Sequence, residues 1–246
     1  MLSLLDTPAL AVSDLVLALS SAAEPVAGDA ATGVAVLLVV VLIRSLLLPL
    51  SLRAARAGRA RLALRPAELR LRERFRRDPV RLQRELTALH RSHGTSPFAG
   101  LGASLAQVPF FMVLYRLFSA PTLHGGANAL FTHTLFGVPL SDSWVAALGA
   151  GVLPVELAVF ASVLVLLVVV AWFSSRLAQR QASLTAPPST EVEVMTARMM
   201  RVLPYGTVVV AAFVPLAAAL YLLFSGAWTA TERWLLNRNG PLPAAT

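Results

Sequence analysis

Cysteine and lysine are both absent from the 246 residues, and charged side chains of any kind are scarce. Without cysteine the chain has no disulfide, no thiol nucleophile, no thiolate site for zinc or an iron–sulfur cluster, and no lipid-modified cysteine. Charged residues make up 14% of the chain, against roughly 25% in soluble domains. Since 57% of the residues are hydrophobic, the composition excludes a disordered chain and predicts an all-α polytopic membrane protein.

The long apolar segments also lack acidic residues and histidine near their middles. All four histidines lie outside these segments, at His90, His93, His124 and His133. Proton- and cation-coupled transporters normally need such groups within the membrane. The sequence has neither a Gly-rich phosphate loop nor a metal-ligand constellation. We therefore expect no enzyme activity, no metal, no cofactor, no small-molecule substrate and no DNA partner.

The positive charge is concentrated in one part of the chain. Thirteen of the 21 arginines lie between Arg53 and Arg91, whereas the first 43 residues contain four acids and no basic residue. Cytoplasmic segments of membrane proteins carry the excess of basic residues. This pattern places the Arg-rich segment in the cytoplasm and the acidic N-terminal segment outside.

Apolar runs and charge together divide the chain into spans and connecting segments. Residues 1–31 are expected to be an extracytoplasmic segment with a short interfacial helix at residues 10–19. The following regions are TM1 at 32–52, a cytoplasmic Arg-rich helical hairpin at 53–93, TM2 at 94–118, an extracytoplasmic loop at 119–151, TM3 at 152–173 and a cytoplasmic loop at 174–198. The apolar remainder fits one span or two helices that turn at Pro215, and hydropathy alone does not separate these.

The predicted hairpin has local helix signals and three possible roles. Asp78 is a good N-cap with Pro79 at the first helical position, and Gly94 is expected to stop the second helix. The arginines are compatible with a solvated face that fixes topology, with binding of anionic lipid head groups, or with docking on ribosomal RNA. Composition alone leaves all three open.

Arg44 lies near the middle of TM1, where a charged side chain costs about 2.5 to 3.5 kcal/mol on insertion scales. Glu156 and Glu232 are the only carboxylates within spans, and neither is expected at the depth of Arg44. Arg53 lies nine residues away, about 13.5 Å along a helix, which is too far for Arg44 to reach the cytoplasmic interface. The sequence therefore predicts a water-filled cavity around Arg44. The alternative is an arginine that bonds to backbone carbonyls inside a helical bundle.

A second buried polar group, Gln107, lies in the middle of TM2 and is expected to share that cavity. Arg116 is expected to extend to the outer interface. Aromatic residues near the ends of spans are typical of the interfacial belt. These residues are Tyr115, Trp172, Tyr221 and Trp228.

Short motifs along the chain resemble those of the YidC/Oxa1/Alb3 membrane protein insertases. The first is residues 43–50 (IRSLLLPL), which is similar to the first core helix of that family. Others follow in the family's order at residues 105–111 (LAQVPFF), 135–141 (LFGVPLS), 199–204 (MMRVLP), 214–216 (VPL), 219–221 (ALY) and 228–229 (WT). The chain departs from the family pattern at residues 216–218, 226–227 and 232–233.

The resemblance implies a five-transmembrane-helix insertase core with a cytoplasmic helical hairpin. It divides the last apolar segment into TM4 at 199–214 and TM5 at 215–236, followed by a cytoplasmic tail at 237–246. It also implies a hydrophilic substrate groove, open to the cytoplasm and the lipid, with Arg44 at its centre. The other groove residues are Gln107, Tyr221, Trp228 and Thr229.

The function that the resemblance implies is insertion and chaperoning of membrane proteins, alone or with the Sec translocon, in a bacterial cell membrane. The expected partners are nascent membrane proteins, the ribosome and anionic lipids. The hairpin would recruit the client or the ribosome through Arg70, Arg72, Arg76, Arg77, Arg81 and Arg84. The alternatives are a small channel or transporter that uses the same wet cavity, and a ribosome-binding membrane adaptor.

Overall fold

The computed structural model describes residues 6–93, 107–123, 125–151, 154–183 and 191–238. Several expectations lie outside these residues: Gly94 as a helix stop, the first thirteen residues of TM2, and most of the C-terminal tail. In the described residues the helices are α1 (Asp6–Ala27), α2 (Ala31–Arg74), α3 (Pro79–Ser92), α4 (Val108–Ser119), α5 (Trp144–Ala150), α6 (Pro154–Ser183), α7 (Glu191–Phe213) and α8 (Leu216–Arg238).

Within the described residues, two helical stretches are long and apolar enough to cross a bilayer. They are Asp6–Arg56, with a mean hydropathy of 2.6, and Pro154–Arg180, with 2.7. Only 28% and 22% of their most apolar windows are buried inside the protein, whereas the core helix of a soluble protein is mostly buried. Val108–Ser119 and Arg201–Phe213 are shorter apolar helices. The chain is thus mostly helical, with apolar helix surfaces that suit a membrane.

The chain forms two compact units. One contains Met1–Ser45 and Pro109–Trp234, and the other contains Leu46–Val108 and Leu235–Thr246. The core of the first unit is built from apolar side chains of α1, α2, α4 to α8 and the loop after α4. Its largest fully buried members include Leu114, Leu117, Phe118, Leu130, Leu140, Leu216 and Tyr221.

A sharp turn separates α1 from α2. Gly28 has a φ of +49°, a backbone conformation that glycine adopts without a Cβ clash. The hydroxyls of Ser20 and Thr32 then lie 3.0 Å apart, and Thr32 Oγ1 is also 2.9 Å from His133 Nδ1. At 22 residues, α1 is longer than the ten-residue interfacial helix expected from the sequence, and it folds back against the start of α2.

The connection between α4 and α5 contains two antiparallel hairpins, which the sequence did not predict. They pair β1 (Thr122–Leu123) with β2 (Gly126–Ala127), and β3 (Thr134–Leu135) with β4 (Val138–Pro139). The second hairpin turns at Phe136 and Gly137, whose φ values are +51° and +82°. Positive φ at both central residues is the geometry of a tight two-residue hairpin turn.

The last two helices are separated by a break at Pro215. The chain leaves α7 at Phe213 and enters α8 at Leu216. Proline lacks the N–H that a continuous helix requires, and the first N–H groups of α8 instead donate to carbonyls of the loop between α4 and α5. Leu216 N donates to Asp142 O at 2.8 Å and Ala217 N donates to Leu140 O at 3.1 Å.

The second unit contains the end of α2, a short turn and α3. Asp78 caps α3 as predicted, since its Oδ1 accepts a hydrogen bond from Arg81 N at 3.0 Å and Pro79 is the first helical residue. Glu68 on α2 lies 3.2 Å from His90 on α3. This contact joins residues that are 22 positions apart, so the two helices fold back on each other.

Candidate functional site

The site is centred on Arg44, which α2 carries between apolar residues. Leu42 and Leu46 on either side are exposed, whereas Arg44 itself is half-buried. Its Nε donates to Ser225 Oγ at 3.1 Å. Its Nη2 donates to Ser225 Oγ at 2.5 Å, to Ser225 O at 2.8 Å and to Thr229 Oγ1 at 2.8 Å. We call the three residues Arg44, Ser225 and Thr229 the Arg44 clamp.

The spacing of the two hydroxyls explains why they reach the same guanidinium. Residues four apart lie on one face of a helix, so Ser225 and Thr229 present adjacent oxygens on α8. Thr229 Oγ1 donates its own proton to Ser225 O at 2.9 Å, which leaves its lone pairs to accept from Arg44. Ser225 is only 2% exposed, so the clamp is closed to water on this side.

Contacts at the start of α8 fix the direction from which the hydroxyls approach. The bonds from Leu216 N and Ala217 N to the loop satisfy donors that would otherwise be unpaired at a helix N-terminus. One turn before Ser225, the buried ring of Tyr221 packs against Phe111 of α4, with ring centroids 5.9 Å apart. Both contacts restrict rotation of α8 about its axis.

All hydrogen-bond acceptors in the clamp are neutral. Three further residues, Tyr221, Glu232 and Arg233, lie within electrostatic range of the guanidinium. Glu232 was not expected at the depth of Arg44, and it lies about one turn beyond Thr229 on α8, from where its charge still acts on the guanidinium. Glu232 and Arg233 carry opposite charges, so their effects on Arg44 oppose each other.

Part of the predicted set meets at Arg44. Thr229 bonds to it, Tyr221 is near it but only 1% exposed, and Trp228 is half-buried beside Thr229 on α8. Gln107 is half-buried and belongs to the second compact unit, immediately before α4. Its participation in a cavity with Arg44 stays a prediction.

Ser225 is the member of the clamp that the sequence analysis missed. A serine within an apolar helix is common, and it often bonds only to the carbonyl one turn earlier. The signal that could have found it is its place four residues before Thr229. Bonding of Arg44 to Ser225 O also realises the alternative that the sequence left open, an arginine held in part by a backbone carbonyl.

A family model described as 60Kd inner membrane protein matches residues 24–242 of the chain. The chain belongs to this family. The resemblance to the YidC/Oxa1/Alb3 insertases, stated above from short motifs, is thereby confirmed.

Three relatives illustrate the similarity. A membrane protein insertase YidC of Streptomyces avermitilis is 26% identical over 230 residues, which cover 87% of this chain and 53% of the relative. One of Mycobacterium tuberculosis is 27% identical over 228 residues, 81% of this chain and 62% of the relative. MisCA of Bacillus subtilis, also a membrane protein insertase, is 35% identical over 88 residues, 34% of each chain. The chain therefore spans about half to two thirds of the length of the first two relatives.

Membership in this family, together with the exposed apolar helices, makes the chain a bacterial membrane protein.

The arginines predicted for recruitment lie near the turn between α2 and α3, and five of them are exposed: Arg70, Arg76, Arg77, Arg81 and Arg84. Arg72 is half-buried. Arg81 and Arg74 lie over the ring of Phe75, at 5.2 and 5.5 Å from its centroid. Among the described residues no group of three or more histidine and acidic side chains could hold a metal ion.

Arg116 has a partner within the protein that the sequence did not predict, while its place at the outer interface stays a prediction. Its Nε donates to Asp6 Oδ1 at 2.9 Å, and the side chains are 24% and 8% exposed. The partner lies 110 positions earlier in the chain, beyond the reach of any local pattern. This ion pair ties the first turn of α1 to α4.

Proposed function

We propose that the chain is a membrane protein insertase that inserts integral membrane proteins and helps them fold. The observation that carries this proposal is Arg44, a charged side chain on an apolar helix whose hydrogen-bond acceptors are all neutral. An intramembrane arginine marks a functional site by default. Family membership and the insertase activity for which the relatives are named support insertion as that function.

The proposed topology has five spans, with the N-terminus outside and the C-terminus in the cytoplasm. TM1 lies at residues 32–52, TM2 at 94–118, TM3 at 152–173, TM4 at 199–214 and TM5 at 215–236. The Arg-rich hairpin at 53–93 is cytoplasmic and the Arg-free residues 119–151 are extracytoplasmic, in agreement with the charge bias of membrane proteins.

In the proposed mechanism, a short polar tail of the client enters a hydrophilic groove at Arg44. The groove shortens the distance over which polar groups must cross hydrocarbon, because part of the path is already wet. The arginine attracts acidic groups of the tail, while Gln107, Tyr221 and Trp228 line the path. The client's apolar segment leaves sideways, driven by burial in lipid at roughly 25 cal/mol per Å². No bond is made or broken, so the protein is not an enzyme and needs no cofactor.

The proposed partners follow from charge. Nascent membrane proteins are the clients, and the exposed arginines of the hairpin suit the phosphates of ribosomal RNA or of anionic lipids. The Sec translocon is a further possible partner for clients that need it.

The test is insertion of single-span clients into liposomes that contain the purified protein, measured by protease protection. Two clients would differ only in a tail of four aspartates or four asparagines. We expect Arg44→Ala to reduce protection of the acidic client by about tenfold and that of the neutral client much less, since a charged hydrogen bond contributes about 1.5 to 3 kcal/mol. Arg198→Ala, at an exposed arginine on α7, is the matched control.

Each outcome has a definite meaning. Equal loss for both clients would remove the electrostatic part of the mechanism. Absence of protection with the wild-type protein would reject the insertase. In that case, ion flux through the liposomes would favour a channel, and ribosome binding that is lost on deletion of residues 66–90 would favour an adaptor.

A further inference from the structure

The Arg44 clamp uses only part of the guanidinium. Nε and Nη2 donate to Ser225 and Thr229, whereas Nη1 donates to no residue in the part of the chain that the structure describes. A guanidinium is planar and carries five N–H donors. Ser225 occupies the edge formed by Nε and Nη2, and Nη1 lies outside that edge, so its two N–H donors remain for another acceptor.

From this arrangement we propose that Ser225 and Thr229 are positioning residues, which hold Arg44 so that Nη1 receives a carboxylate of the client's polar segment. This inference rests on the proposed function and adds to it the residues that set the preference for acidic clients. The expected contact is made through Nη1 alone, because Nε and Nη2 already donate to Ser225 and Thr229.

The chemistry of the clamp suits this role. Hydroxyl and carbonyl acceptors satisfy the donors of Arg44 without cancelling its charge, so the attraction for an anion is kept. Another arginine of the same compact unit shows the contrast, since Arg116 is bonded to the carboxylate of Asp6. An arginine that is already paired with a carboxylate attracts an acidic client only weakly.

The clamp also keeps the charge at its depth. An arginine side chain is long and flexible and turns toward the nearest polar interface when nothing holds it. Three acceptors on one turn of α8 oppose that movement. Two of them belong to Ser225, which is held in place by burial, since it is only 2% exposed. Holding a binding group in place lowers the entropy lost when the ligand binds.

The test compares the clients with four aspartates and four asparagines in the full-length protein in liposomes. Thr229→Val keeps the shape but removes the acceptor, Thr229→Ser restores it, and Ser225→Ala/Thr229→Val removes both hydroxyls. Thr231→Val is the matched control, because Thr231 lies on the same helix, is exposed, and donates to Ala227 O of its own helix at 2.9 Å. The readout is the ratio of acidic to neutral insertion rates.

We expect the ratio to fall about threefold for Thr229→Val and about tenfold for the double variant, with recovery in Thr229→Ser and no change in Thr231→Val. A merely structural role would lower both rates together and leave the ratio unchanged, which would overturn the proposal. A ratio that rises would overturn it too, since the hydroxyls would then compete with the client.

Binding of fluorescent peptides with the same two tails to the purified protein separates this proposal from the proposed function. If the wild-type protein inserts neither client, the insertase fails, and the clamp is then judged by whether acidic-peptide affinity falls in the double variant. Thermal unfolding identifies any variant that has failed to fold. If the double variant fails to fold, the comparison of Thr229→Val with Thr229→Ser decides the result.

Discussion

Two arginines on apolar helices of this chain are satisfied in different ways. Arg44 donates to neutral oxygens of Ser225 and Thr229, whereas Arg116 pairs with the carboxylate of Asp6. Both solutions avoid an unpaired buried charge, which is strongly unfavourable. Only the first leaves a positive charge that no hydrogen-bonded carboxylate matches, which is why we propose a functional role for Arg44 and not for Arg116.

The Asp6–Arg116 pair is expected to stabilise the fold. Arg116→Gln leaves the largely buried Asp6 carboxylate without its partner, so the free energy of unfolding should fall by about 1 to 3 kcal/mol. The measurement is thermal unfolding in detergent. Asp6→Asn combined with Arg116→Gln should recover most of the loss, because no unpaired charge remains.

Arg84→Gln is the control for that experiment, since Arg84 is exposed on α3. It should leave the melting temperature unchanged. If Arg116→Gln melts at the wild-type temperature as well, the ion pair contributes nothing to stability and the attachment of α1 depends on its other contacts.

For single residues, the sequence identifies those whose place in an apolar segment is energetically unfavourable whatever the fold. Arg44 could be singled out because a charge within an apolar run needs an explanation wherever its partner lies, and its functional role stays a prediction. Ser225 and Asp6 could not be predicted, because serine in a helix and aspartate near a terminus are ordinary by themselves. Their roles come from contacts across 181 and 110 positions.

Among the secondary-structure elements, the sequence predicts correctly those whose ends are set by contacts between near neighbours in the chain. Asp78 and Pro79 start α3 because a cap and a preset φ act within four residues. The two β-hairpins were missed since each strand has only two residues, too few for an alternating pattern. The turn at Phe136 and Gly137 carries a bulky residue where asparagine or glycine is usual, which hides its signal.

The approach of α6 and α8 gives a prediction for an element contact. A Cβ built at Gly226 would lie 3.2 Å from Val170 Cγ1, whereas one at Gly206 on α7 would meet nothing within 4 Å. Gly226→Val should therefore lower the free energy of unfolding by about 1 to 3 kcal/mol. Gly206→Val should not, because it adds helix propensity without a clash.

Thermal unfolding of the two valine variants in the same detergent measures the difference. Val170→Ala combined with Gly226→Ala makes room for the added methyl group and should restore stability relative to Gly226→Val. Equal melting temperatures for Gly226→Val and Gly206→Val would mean that α6 moves aside without loss of stability and does not restrain α8.

For the whole molecule, charge and exposure are divided along the chain. The arginines cluster in residues 53–91, and residues 119–151 contain none. The most apolar windows of the two long helical stretches are mostly unburied, as expected of helices that face lipid. Sequence alone could predict this division because it depends on composition, and the proposed orientation follows from it.

The proposed orientation can be tested with single cysteines, because the chain contains none of its own. Gln83→Cys on α3 and Val145→Cys on α5 are both exposed positions, and neither contributes to the Arg44 clamp. In intact cells a membrane-impermeant maleimide should label Cys at position 145 and leave position 83 unlabelled. After permeabilisation, both should react, which shows that each site is accessible. Labelling at position 83 in intact cells would place the hairpin outside, where its arginines could meet neither ribosomes nor the cytoplasmic leaflet, and the recruitment role would be lost.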